Sequence, residues 1–95
     1  MNVDKCHKRI EKKVKRGFQG YPLISVDYYG PDDSLATKVI VGFVAEEGFK
    51  PQQQEFETEG DIREEVNVQT TILKLIERTE AKTVTLSEGV LPLVG

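Results

Sequence analysis

Ninety-five residues, 38% of them hydrophobic and 31% charged, suffice for one domain with one core and lie far from a disordered composition. No apolar stretch approaches the roughly 20 residues that cross a bilayer, and no apolar run follows the N-terminal charge as in a signal peptide, so a small soluble, cytoplasmic domain is expected. The net charge of −3 conceals a division at Gly17: seven basic and two acidic residues precede it, a net of +5, while six basic and fourteen acidic residues follow, a net of −8. Such a split lets the basic arm bind the acidic body, a second copy or an anionic partner.

In chain order, Val3, Cys6, Ile10 and Val14 recur at spacings of three and four, drawing a narrow apolar line along a helix from about residue 4 to residue 16. Asp4 suits its start and the basic run up to Arg16 its end, with Gly17 as the stop. Gly20, Tyr21 and Pro22 turn the chain into a strand from Leu23 to Tyr29, with Ile24, Val26 and Tyr28 on one face. The dense turn signal from Gly30 to Ser34 predicts a hairpin into a second strand, about Thr37 to Glu46. There Val39, Val41, Phe43 and Ala45 alternate with Ile40, Gly42 and Val44, so both faces are apolar and the strand belongs at the centre of a sheet.

After the turn at Glu47 to Pro51, Gln52 to Glu59 reads as a polar edge strand with Glu55, Glu57 and Glu59 on one face. Asp61 followed by Glu64 fits the opening of a second helix, whose stripe comprises Ile62, Val66, Ile72, Leu73 and Ile76, broadened by Val68 and Leu75. Lys82 to Ser87 alternates as a strand, and an apolar segment from about residue 89 to residue 95 closes the chain. The fold class is therefore α+β, a single small domain in the order α-β-β-β-α-β: a three-stranded antiparallel meander plus a fourth strand after the core helix. Because the second strand is apolar on both faces, the core helix is expected over one face and the first helix over part of the other. The crossover makes the fourth strand parallel to its neighbour, which is either the first or the third strand.

No motif assigns a reaction, a cofactor or a metal site. Glycines leading from a strand into a helix, as in a phosphate-binding loop, do not occur, and there is no metal-ligand His/Cys spacing. Cys6 and His7, the single cysteine and the single histidine, point about 100° apart on a helix and are poorly placed as a dyad. Cys6 is expected on the apolar stripe and His7 on the wet face, with an intermolecular disulfide or a metal shared between chains as the remaining use. The exposed-edge reading of the three glutamates is preferred to a cation site, which needs further ligands. Phe18, Tyr21, Tyr28, Tyr29 and Phe49 are read as the amphipathic edge of the core, in preference to the lining of a shallow ligand pocket or a platform for unpaired bases.

The order of helix, three strands and helix over about residues 4–81 resembles the double-stranded-RNA-binding domain in element order alone. In that family a basic cluster opens the second helix, whereas Asp61, Glu64 and Glu65 stand at the corresponding place here, so the chain is not read as a member. The leading expectation is a non-catalytic protein-interaction or oligomerisation domain, with Ile10, Val14, Leu91 and Val94 at the interface and a protein partner or second copy as ligand. One alternative is nucleic-acid binding through Lys8, Arg9, Lys12, Lys13, Lys15 and Arg16. The other is a small enzyme or ligand-binding protein built on Asp27 and its neighbours Tyr28 and Tyr29.

Overall fold

The first helix, α1 (Val3–Val14), begins at a cap the sequence pattern passes over: the Asn2 side chain accepts the Lys5 N–H at 2.9 Å, and Asp4 lies in the first turn. The helix ends two residues before the expected position, and Gly17 takes the positive φ of 70° that a side chain would resist. The structure is a computed structural model that describes residues 2–87 and 89–93. Beyond α1 the elements are β1 (Leu23–Gly30), β2 (Lys38–Val44), β3 (Gln52–Glu57), a 3₁₀ turn (Ile62–Glu64), α2 (Val66–Arg78), β4 (Thr83–Leu86) and β5 (Leu91–Pro92).

The sheet runs in the order β3-β2-β1-β4, with the first three strands antiparallel as the meander reading expects. The crossover through α2 brings β4 back parallel to β1, which settles its neighbour as the first strand. β5 continues along the same edge of β1, pairing Leu91 with Tyr29. β2 is therefore internal and β3 an edge, as their hydropathy patterns require.

One face of this sheet carries the core. Ile24, Val26 and Tyr28 of β1, Val39 and Val41 of β2 and Val84 of β4 are buried with Cys6 and Ile10 of α1 and Ile72, Leu73 and Ile76 of α2. Both helices thus lie side by side on the same face, α1 against α2 and β4, and the expectation that α1 covers the opposite face is incorrect. The stripe of α1 explains this. Only two of its residues are fully buried, too little apolar surface to cover a sheet alone but enough to complete a core that α2 has begun.

The opening of α2 also differs from the expected one. Asp61 caps the 3₁₀ turn rather than the helix, accepting the Arg63 N–H at 3.0 Å, and an extended Glu65 separates the turn from α2. Ile62 is buried on the turn, its N–H donating to the Ala36 carbonyl at 2.6 Å, so it does not share a helical stripe with Val66. Val66 is 40% exposed as a result. Gln69 occupies the core position instead.

Candidate functional site

Because Cys6 and Ile10 anchor α1 in the core, the cations on its other sides face outward. Lys8, Arg9, Lys12, Lys15 and Arg16 are exposed and Lys13 is half-buried. Arg9, Lys12, Lys13 and Arg16 converge on a groove of about 290 Å³ between α1 and α2, floored by Leu73 and bordered by Glu77. Arg16 also lines a second, wider depression with Gln19, Ala81 and Lys82, so the positive surface continues from the helix to the α2–β4 loop. Lys8 and Lys15 line neither depression. Among the described residues, the one ion pair made by these cations is Arg9 to Glu77 at 3.9 Å, between two exposed side chains. A pair so placed contributes little. Among the described residues, no further ion pair joins the basic helix to the acidic body.

Among the described residues, no helix lies over the opposite face of the sheet. On it stand Leu23, Ser25, Asp27 and Tyr29 of β1 and Lys38, Ile40 and Val44 of β2, with Leu23 opposite Val44 and Asp27 opposite Ile40. Glu55 and Glu57 of β3 flank them, and the Lys38 Nζ lies 3.5 Å from Glu55. Asp27 and Tyr28 consequently point to opposite faces, and only Tyr29 shares the side of Asp27. The sheet does not bring Asp27 and Tyr28 together.

A third place, a cleft of about 160 Å³, is lined by His7, Ile10, Glu11, Tyr28, Arg63, Gln69 and Leu86. Its polar groups are largely committed to one another. The Tyr28 hydroxyl donates to Gln69 Oε1 at 3.3 Å and accepts from Gln69 Nε2 at 3.0 Å, and that Nε2 also reaches the Ile62 carbonyl at 3.3 Å. Burial pushes the phenol above its ordinary pKa against the opposing bond from Gln69, which keeps it neutral. Arg63 grips Asp61 through Nε at 2.9 Å and Nη2 at 2.6 Å. The Arg63 carbonyl accepts from His7 Nε2 at 2.7 Å, which fixes the proton on that ring nitrogen. His7 is therefore half-buried and bonded, not on the wet face as expected. These bonds tie α1, the 3₁₀ turn and β1 together, and the cleft reads as structural.

Other sequence expectations fall out as follows. Ile10 is 4% exposed and belongs to the core, so it is withdrawn as an interface residue. Val14 packs partly against the core, Leu91 is half-buried beside β1, and Val94 lies outside the described residues. Cys6 is fully buried with its Sγ 3.7 Å from Thr70 Oγ1, which rules out a disulfide between folded copies. Phe18 and Phe49, expected at the core edge, are 65% and 58% exposed. Among the described residues no group of three or more His, Cys, Asp or Glu side chains is placed to hold a metal ion, and no helix is long and apolar enough to cross a membrane.

Sequence reasoning missed Gln69. The signal was its place on the α2 stripe, three residues before Ile72 and seven before Ile76. In comparisons with known proteins, no family model, no curated protein and no solved structure matches this chain.

Proposed function

We propose that the protein is a small non-catalytic interaction domain that self-associates through the open face of its sheet. The observation that carries this reading is the sheet face left without a helix, on which Leu23, Tyr29, Ile40 and Val44 stand together around Ser25 and Asp27. A solvated sheet face ordinarily alternates to polar residues. This one keeps large apolar groups on both central strands. The face also bears both signs of charge, Lys38 beside Asp27, Glu55 and Glu57, so a two-fold axis sets the lysine of each copy against acids of the other. Four strands of 8, 7, 6 and 4 residues, at about 3.3 Å per residue and about 4.8 Å apart, give roughly 400 Å² per copy, the size of a weak, transient interface. The association is accordingly weak and concentration-dependent.

Sedimentation velocity over a wide concentration range tests the reading. The wild-type chain is expected to shift from monomer to dimer, and Ile40→Lys, on the open face and remote from the core, to remain monomeric with an unchanged circular dichroism spectrum. A wild-type monomer at the highest attainable concentration would overturn it.

A further inference from the structure

We propose that the positive track on the helical side binds single-stranded nucleic acid, with phosphates along Arg9, Lys12, Lys13, Arg16 and Lys82 and a base stacked on Phe18. The surface lies on the side of the sheet opposite the self-association face and does not depend on it. Four observations converge. The first four cations follow spacings of three, one and three along α1 and the turn that ends it, and line one groove. Arg9, Lys12 and Lys13 belong to α1 and Arg16 to the turn just past its C-cap Lys15, so the four cations line the groove from the helix into that turn. Lys82 extends the track beyond the helix through the depression it shares with Arg16. Among the described residues these cations have one weak intramolecular partner, Glu77.

The fourth observation selects the ligand. Phe18, two residues beyond Arg16, is 65% exposed, and its ring meets Tyr21 edge to face at a centroid distance of 5.6 Å. An exposed ring steadied by a neighbour, two residues along the chain from a groove-lining arginine, supplies the stacking platform that single strands use together with a charged channel. A duplex hides its base faces, and an acidic polypeptide would satisfy the cations while leaving Phe18 idle. A lipid surface is disfavoured because the apolar stripe of α1, Cys6 and Ile10, is spent in the core and cannot insert.

Fluorescence anisotropy with labelled oligouridylate and oligothymidylate of about 12 nucleotides, a duplex of equal length and polyglutamate tests the proposal on the full chain. The single strands are expected to bind, and four to five phosphate contacts should weaken that binding about fifty- to one-hundred-fold between about 50 and about 200 mM salt. The double variant Lys12→Glu/Arg16→Glu should bind at least about tenfold more weakly with a shallower salt slope. Phe18→Ala should cost about fivefold or more on single strands and nothing on the duplex. All three positions are exposed, so an unchanged melting curve confirms the fold of each variant. No single-strand binding at low salt, binding indifferent to the double charge reversal, or a preference for the duplex or for polyglutamate would each overturn the proposal.

Discussion

Gln69 sits where helical spacing calls for an aliphatic side chain, fully buried and bonded to the Tyr28 hydroxyl and the Ile62 carbonyl. A buried amide costs stability unless its partners are kept, so the pair should behave as a unit. Tyr28→Phe is expected to destabilise by about 1 to 2 kcal/mol, and adding Gln69→Leu to return part of that loss, because the unpaired amide disappears. Urea denaturation of the two single variants and the double measures the coupling, and additive losses would contradict it. Gly30 carries a different constraint. A Cβ there would stand 1.8 Å from the Leu35 carbonyl oxygen, a backbone atom of the loop that Asp32 and Ser34 brace. Gly30→Ala should therefore cost about 1 to 3 kcal/mol by overpacking. A denaturation midpoint within error of wild type would show that the loop yields instead. The sequence marked Gly30 as turn punctuation, but which carbonyl approaches it is a matter of the folded hairpin.

At the scale of elements, periodicity identified both helices, the meander and the edge position of β3, while the junction before α2 departed from expectation. Asp61 and Glu64 look like the opening of an α-helix, yet Asp61 caps the start of a 3₁₀ turn and takes Arg63 into its carboxylate. Hydrogen bonds from the Arg63 side chain, then the backbone N–H and the Arg63 charge, hold the Asp61 carboxyl below the usual carboxylate range against partial burial. A carboxylate depressed in the folded state contributes stability above its unfolded pKa, and loses it as pH falls through the folded value. The acid limb of the stability curve should therefore steepen below about pH 4 and flatten in Asp61→Asn. Asp61→Ala also removes the cap and is expected to cost about 1 kcal/mol near neutral pH. Thermal melts from neutral to strongly acidic pH follow both, and an acid limb identical to wild type in Asp61→Asn would refute the assignment.

The whole molecule is a two-layer arrangement with unlike sides. Its helical layer presents the cations of α1, its sheet layer an open face with mixed charge, and the acidic edge strand β3 lies at the edge away from β4. If two copies meet sheet to sheet, the melting temperature should rise with protein concentration and Ile40→Lys should abolish that dependence, because only the folded state binds a partner. A concentration-independent melt would count against the dimer at this scale too. By itself the sequence determined the element order, the two-faced hydropathy of β2, the polar edge and the charge division, since each is a local periodicity or count carried by neighbouring residues. Which face α1 covers, which strand β4 joins, and whether Ile10 meets core or partner were decided only in the tertiary structure. Periodicity records that one side of an element is apolar but not what lies against it. That choice falls to the arrangement that buries the narrow stripe of α1, the stripe of α2 and one face of the sheet in a single core, leaving the opposite face without a helix over it among the described residues.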